Sequence, residues 1–292
     1  MRVLHLDTGR EMRGGQWQAL RLHRGLTAAG HDSVMLARQG SPLFRMASQW
    51  GLQCQALTPL TVARLSSGFD LVHAHDARSH TLAALLSRAP LVVSRRVAFP
   101  VKTSALSKWK YRRPVLFLAV SSFVADRLRE AGIPDSRIAV VYDGIPVPAE
   151  EAEGDAILVP STLDPQKGLA LAEEAAHLAG VTLTRSTDLE ADLPHARALV
   201  YLSRSEGLGS GILLAMAHGV TVIASRVGGI PELITDGLNG ILVPNDAASI
   251  AAAFPRLDRS LGHAARQTVL AKFTESHMVG ATLGAYQQAL HA

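Results

Sequence analysis

Ser203 to Asp246 reads SRSEGLGSGILLAMAHGVTVIASRVGGIPELITDGLNGILVPND, and this stretch decides the fold. The apolar run at its front edge, Ala198 to Leu202 (ALVYL), has the short unbroken hydrophobicity of a buried strand. It opens into a loop with Gly207, Gly209 and Gly211, which feeds a helical stretch, Ile212 to His218. Glycines let main chain approach a ligand closely, and the first-turn N–H groups, Ser210 to Leu213, form a ready phosphate site. One carboxylate, Glu206, stands in the loop beside it. A second strand, VTVIAS, leads to a second glycine turn, Val227-Gly228-Gly229-Ile230-Pro231-Glu232, expected to open another helix with an acid in its first turn. Two such junctions at strand C-terminal ends are where open α/β sheets bind ligands.

The stretch resembles the donor-binding core of the GT-B retaining glycosyltransferases of family 4. Their motifs read roughly E-G-x-G…(L/E)-A-M-A-x-G, then S-x-x-G-G-x-P-E and D-G-x-N-G-x-L-V-P. This chain has Glu206 to Gly209, Leu214 to Gly219, Ser225 to Glu232 and Asp236 to Pro244 in that order. The resemblance implies an α/β chain of GT-B class, two Rossmann-like domains with parallel sheets facing a central cleft. Residues 1–147 would form the acceptor-side domain and 148–292 the donor-binding domain, with the terminal helix able to pack back on the first.

Working outward, Leu163 to Leu169 (LDPQKGL) resembles the family's G-R-L-x-x-x-K-G, in which Arg and Lys clamp the donor diphosphate. Lys167 is kept and Thr162 stands in the arginine's place, so one cation is missing. Glu206 matches the first glutamate of an E-x7-E pair, which implies contact with the donor sugar or with its anomeric carbon. The second glutamate, which holds ribose in the family, is Leu214 here and cannot hydrogen-bond hydroxyls. By the resemblance the donor site comprises Thr162, Gly207, Leu208, Gly209, Ser210, Gly211, Ile212, Leu214, Gly229 and Glu232. The acceptor site comprises Gly14, Gly15, Gln16, Asp76, Arg95 and Arg96, and the catalytic set is Glu206, Lys167 and His75. No D-x-D triplet occurs, so metal independence is expected, with Lys167 and helix amides neutralising the leaving diphosphate. The nucleotide sugar is substrate, and no further cofactor is implied. His73-Ala74-His75-Asp76, with His80 beyond, is expected to divide its imidazoles between opposite strand faces, which discounts zinc.

The front half supports the class. Strands are legible at Arg2 to Leu6, Ser33 to Leu36, Leu71 to His73, Leu91 to Ser94, Val115 to Val120 and Ile138 to Val141, with helical patterns between them. Such alternation implies a parallel sheet covered on both faces. Gly14-Gly15 precedes a helix-period run, Trp17, Leu20, Leu22 and Leu26. Ser121-Ser122 should cap a helix from Phe123 to Ala131 that stops at Gly132, and Asp143-Gly144 reads as a turn. Behind, Ala156 to Val159 and Val181 to Thr184 read as strands, and the segment from Gly180 to Ala198 is short, about sixty residues being absent against the usual family length. The end resembles the family's terminal helix, so a complete chain is expected.

At 292 residues with 48% hydrophobic content, two cored domains fit the size. No apolar run approaches the roughly 18 residues of a membrane span, and MRVLHLDTGR turns polar too soon for a signal peptide. A soluble, cytoplasmic protein is expected, with a peripheral place at the inner face of the membrane left open. The single cysteine, Cys54, excludes an intrachain disulfide and reads as a buried structural thiol.

The net charge of +4 conceals an asymmetry: residues 1–149 carry +11 and the remainder −7. The sign changes in the proline- and acid-rich Pro146 to Gly154, an interdomain linker. From Arg95 to Arg113 there are seven basic residues and no acid, interleaved with Phe99, Trp109 and Tyr111, which suits an anionic membrane surface or a solvated face. No nucleic-acid motif accompanies the charge. The expected activity is metal-independent hexosyl transfer from a nucleotide sugar, UDP-linked by preference, to a glycan or lipid-linked acceptor. A non-catalytic binding protein on the same fold and a nucleotide-sugar epimerase stay open as alternatives.

Overall fold

A computed structural model describes residues 1–291 apart from Thr103 and Leu163. The chain divides into two units, one of Met1–Gly144 with the segment from Glu275 onward, the other of Ile145–Thr274.

Unit 1 is built on seven parallel strands: β1 Arg2–Asp7, β2 Asp32–Ala37, β3 Cys54–Ala56, β4 Leu71–Ala74, β5 Leu91–Arg95, β6 Leu116–Ala119 and β7 Ile138–Val140. Their spatial order is β3-β2-β1-β4-β5-β6-β7. The central strands read LVHA and LFLA because helices cover both faces, so every residue of β4 and β6 is buried. Those helices are α1 Gly14–Ala28, α2 Pro42–Gln49, α3 Pro59–Leu65, α4 Ala77–Leu86, α5 Ala105–Arg112 and α6 Ser122–Glu130. Their starts follow from local chemistry: Ser41 and Thr58 cap helices whose first residue is proline, and Ser121 Oγ accepts the Val124 amide at 3.1 Å.

Unit 2 has five parallel strands, β8 Ala156–Pro160, β9 Thr184–Ser186, β10 Ala196–Tyr201, β11 Thr221–Ser225 and β12 Ile241–Val243, in the order β12-β11-β10-β8-β9. Its helices are α7 Leu169–Ala179, α8 Leu189–Asp192, α9 Ser210–Ala217, α10 Ala247–Ala251 and α11 Arg259–Lys272. The core joins Ala172, Ala175 and Ala176 of α7 to Val200, Ile223, Ile241 and Phe254. The last helix, α12 Glu275–His291, returns to unit 1 and packs Met278, Tyr286 and Ala289 against Val3, Leu22 and Leu71.

Several expectations shift. The strand placed at Val181 to Thr184 forms at Thr184–Ser186, because Val181 and Leu183 pack into the core from the loop. The edge strands β3 and β12, three residues each, were not expected from the sequence. Cys54 lies on β3 half-buried rather than fully enclosed, and burial pushes its thiol up to about 11. The second glycine turn opens one 3-10 turn, Ile230–Glu232, and no longer helix. Asn239 ends it: its side chain accepts the Thr235 amide at 2.7 Å and donates to the Leu233 carbonyl at 3.0 Å, folding the chain into the turn before β12. The D-G-x-N-G run thus builds a turn.

In each sheet the chain reverses its direction of travel once, between β1 and β4 in unit 1 and between β8 and β10 in unit 2. Those reversals leave a crevice beyond the strand C-terminal ends.

Candidate functional site

In unit 2 the residues after β8 and β10 meet at the reversal. Thr162 Oγ1 accepts the Asp164 amide at 3.1 Å, so it shapes a turn where the family's cation would project. Gly168 closes that turn at φ +62°, and a Cβ there would stand 2.7 Å from the Leu202 Cβ, so only glycine fits. The Arg204 amide donates to the Gln166 carbonyl at 2.9 Å, tying the turn to the loop after β10. Lys167 Nζ then reaches Glu206 Oε2 at 2.6 Å and Tyr201 Oη at 3.3 Å, and Tyr201 Oη donates to Glu206 Oε2 at 3.1 Å.

Burial opposes the Lys167 ammonium, but Tyr201 and Glu206 beside it outweigh that and hold its pKa above the ordinary lysine value. Burial, and then Glu206, push the Tyr201 phenol up against the pull of Lys167. The group is therefore an ammonium, a carboxylate and a neutral phenol in mutual contact. Tyr201 was missed from sequence. Its signal is a hydroxyl on the last strand residue before the glycine loop.

The loop leads into α9 through Gly209 at φ +111°, with no side-chain cap on the helix start. Gly211 lies against the Tyr201 ring, where a Cβ would come within 2.9 Å of it. Ile212 is buried at the foot of this mouth and Ser210 half-buried at its rim, with Leu214 half-buried one turn on. The second glycine turn braces the first: the Gly229 amide donates to the Glu206 carbonyl at 3.2 Å, and Gly228, at φ +57°, leaves 2.0 Å for a Cβ before that same oxygen. Beneath, Ser225 Oγ accepts the Ser203 amide at 2.9 Å and donates to Asn245, whose Nδ2 returns to the Ser203 carbonyl at 2.9 Å. The ends of β10, β11 and β12 are thus fixed to one another, another device unseen in the sequence. Gly207 and Leu208 are buried in the loop, and Glu232 is half-buried at the end of its turn.

In unit 1 the expected acceptor residues separate by role. Asp76 caps α4, taking the Arg78 and Ser79 amides, and also accepts the Thr8 amide at 2.6 Å and its hydroxyl at 2.7 Å. Its carboxylate therefore fixes the β1 and β4 ends together. Arg95 turns inward to Tyr111 Oη at 2.7 Å and to the Phe99 carbonyl. Arg96 pairs with Asp143 at 3.0 Å, and its Cδ lies 3.9 Å from where a Gly15 Cβ would be. Gln16 Nε2 donates to both oxygens of Asp7, at 3.2 and 3.1 Å. Asp7 was not singled out from sequence. Burial and the neighbouring Asp76 raise its pKa to about 6, against the Gly9 amide, Gln16 and Arg96. Gly14, Gly15, Gln16, Asp7, Arg96 and Asp143 accordingly gather at strand ends of unit 1.

The histidine expectation is corrected. A strand returns to the same face every second residue, so His73 and His75 share a face, and His5 stands opposite His73 in register. Ligating atoms of all three lie within 4.8 Å of one another. His5 Nδ1 and His75 Nε2 share a hydrogen bond at 2.9 Å, while His73 meets Tyr286 Oη at 2.6 Å and Ser94 Oγ at 2.8 Å. Burial first, then neighbouring charge, holds all three pKa values well below the usual 6.5, so the rings are neutral. Such a trio could hold a metal ion, at the cost of a Tyr286 or Ser94 hydrogen bond to His73. His75 is only 6% exposed, and its Nδ1 has no partner among the described residues. His80 stands apart, against the Lys110 carbonyl.

Residues 12–147 match the family described as Glycosyltransferase Family 4, and residues 161–259 match Glycosyl transferases group 1. The solved structure of Anabaena HepE in complex with UDP and glucose superposes at a TM-score of 0.83 and 16% identity, over 98% of this chain and 99% of that one. The chain belongs to the family 4-like GT-B glycosyltransferases. Among the relatives of this GT-B chain, alpha-maltose-1-phosphate synthase of Mycobacterium tuberculosis is 37% identical over 109 residues, 33% of this chain and 28% of that protein. An uncharacterized glycosyltransferase of Methanocaldococcus jannaschii is 25% identical over 226 residues, 62% of this chain and 64% of its own length. The GT-B chain thus spans under a third of the first relative and just under two thirds of the second. No helix among its described residues is long and apolar enough to cross a membrane.

Proposed function

We propose that this GT-B protein transfers a hexosyl group from a nucleotide sugar, UDP-linked by preference, to a hydroxyl of a glycan or lipid-linked acceptor, with retention at the anomeric carbon. The observation that carries the reading is the Lys167–Glu206–Tyr201 cluster beside the uncapped start of α9, at the reversal point of the unit 2 sheet. A diphosphate at that helix mouth would meet main-chain N–H groups and the Lys167 ammonium, and Glu206 would lie toward the sugar. The bond between the anomeric carbon and the leaving phosphate oxygen breaks while the acceptor oxygen bonds the same carbon from the same face. The acceptor proton passes to the departing diphosphate, so neither a metal nor a separate base is needed. On unit 1 the acceptor groups are Gly14, Gly15, Gln16 and Arg96, with His75 contributing through its unpartnered Nδ1. HepE, with UDP and glucose in its solved structure, supports a uridine donor, and the names of the relatives support sugar transfer.

The second reading, a binding protein without turnover, is favoured by two observations: Thr162 shapes a turn instead of supplying a cation, and Leu214 offers ribose nothing. The test is a panel of radiolabelled nucleotide sugars scored for transfer and hydrolysis. We expect turnover with donors of one sugar and its loss, by about a hundred-fold or more, in Lys167→Ala and Glu206→Ala. Turnover indifferent to both substitutions discards the site. Binding of a nucleotide sugar with no turnover on any acceptor selects the second reading, and turnover of the donor alone into another sugar nucleotide selects an epimerase.

A further inference from the structure

We propose that the outer face of α5 and the loop before it dock this protein on an anionic lipid bilayer. The inference is independent of which acceptor the enzyme uses. From Ala77 to Ala125 the chain has no Asp or Glu and nine Lys or Arg, a run far longer than the basic segment around α5 itself. Soluble surfaces ordinarily intersperse both signs of charge.

The inner face of α5 is firmly attached. Tyr111 stacks on Phe117 with ring centroids 5.4 Å apart, and Lys110 Nζ donates to the Ala77 carbonyl at 2.6 Å. Arg137 Nη2 donates to the carbonyls of Tyr111 at 3.0 Å and Arg112 at 3.3 Å, satisfying acceptors at the helix end. Yet no residue of α5 is buried. Its outer face presents Leu106, 68% exposed, and Trp109 three residues on. Arg95 binds both Tyr111 and the Phe99 carbonyl, which brings Phe99, 55% exposed, to the same side of unit 1. Arg113 Nε donates to the Ala84 carbonyl, which adds exposed Leu85 at the other end. Lys102, Lys108 and Arg112 are exposed among these apolar groups and pair with no carboxylate among the described residues.

A rigid helix lying on the surface, with exposed Leu, Trp and Phe among unpaired cations, has the chemistry of an interfacial anchor. The apolar side chains enter the headgroup–acyl boundary, and the cations meet lipid phosphates. Nucleic acid fits less well, because exposed aliphatic side chains such as Leu106 and Leu85 gain nothing against a phosphate backbone.

The test uses the full chain with phosphatidylcholine vesicles, with and without one third phosphatidylglycerol, in flotation and in quenching of tryptophan fluorescence by brominated acyl chains. We expect binding only to the anionic vesicles, weakened by salt. Lys102→Ala, Lys108→Ala and Arg112→Ala should each weaken it about five-fold. Leu106→Asp should abolish it, and quenching should vanish in Trp109→Phe while flotation persists. Circular dichroism should be unchanged throughout, since all five side chains are exposed. Equal binding to the neutral vesicles, wild-type binding when Lys102→Ala, Lys108→Ala and Arg112→Ala are combined in one chain, unaltered quenching in Trp109→Phe, or tighter binding to duplex DNA than to anionic vesicles overturns the proposal.

Discussion

Acid should unfold unit 1 well before unit 2, and its buried histidines set the size of the effect. His5, His73 and His75 are buried and neutral, each with a pKa well below 6.5, and burial holds His23 at about 4 and His80 at about 3. In the unfolded chain each takes up a proton near 6.5, so these groups stabilise the fold fully above that pH and progressively less below it. By pH 5 each imidazole that stays neutral in the fold withdraws about 2 kcal/mol. Asp7 acts with opposite sign. Its folded pKa of about 6 lies above the unfolded 3.8, so protonation favours the fold as pH falls through 6. It restores only about 1 kcal/mol at pH 5. The net loss from neutral pH is about 8–9 kcal/mol, as large as the whole stability of an ordinary domain. Trp17, Trp50 and Trp109 all lie in unit 1, so urea melts followed by tryptophan emission report that unit alone. Between pH 6.5 and 5 their midpoint free energy should fall with a slope of about three to four protons, and His5→Asn should remove about one of them. Calorimetry should show unit 2, which has no comparable imidazole cluster among its described residues, changing far less. A flat profile in that window, or a slope unmoved in both His5→Asn and His73→Asn, would refute the reasoning.

Glu206→Gln should separate binding from turnover: freeing Lys167 from its 2.6 Å carboxylate partner should tighten UDP about five- to thirty-fold by calorimetry while transfer falls. Unchanged affinity would mean the ammonium does not face the diphosphate. Gly228→Ala should cost about 2–4 kcal/mol in urea melts, because its Cβ would sit 2.0 Å from the Glu206 carbonyl as well as straining φ +57°. Gly180→Ala, at φ +65° with open space around it, should cost only about 1 kcal/mol, and equal losses at the two sites would discount the bracing of the glycine loop.

How much of this was legible in the sequence depends on what each feature is made of. Glycine punctuation and apolar runs are local, so β1, β10, β11 and the start of α9 could be placed to within a residue or two. The edge strands β3 and β12 were not placed: Cys54–Ala56 has no apolar run, and Ile241–Val243 lies inside the D-G-x-N-G-x-L-V-P motif, which was read as a motif and not as a strand. The Lys167–Glu206 contact bridges thirty-nine positions, and both residues were found because motifs mark them, whereas Tyr201 between them belongs to no motif. The histidine cluster was in principle readable, since two residues apart on a strand means one face. Seeing that His5 joins it required the β1–β4 register. Asp76 illustrates the opposite failure: a carboxylate at a strand end looks like a ligand group, yet helix capping and the Thr8 clamp account for its acceptors.

The departures from the family pattern fall on side chains, whereas what the chain keeps is main-chain geometry. Gly168, Gly209 and Gly228 all hold positive φ, and at each a Cβ would meet a neighbour at 3.0 Å or less. Those neighbours are Leu202, Ile212 and the Glu206 carbonyl, the groups that aim Lys167, the helix start and the acid. Losing a clamp arginine to Thr162 and a ribose acid to Leu214 removes discrete hydrogen bonds and leaves that framework intact. On the proposed reading, recognition would then concentrate on the diphosphate, held by main-chain amides and a single lysine, and weaken toward the ribose. An enzyme so arranged should choose its donor through the sugar and the phosphates more than through the nucleoside. The nucleotide portion is accordingly where tolerance between donors should appear first.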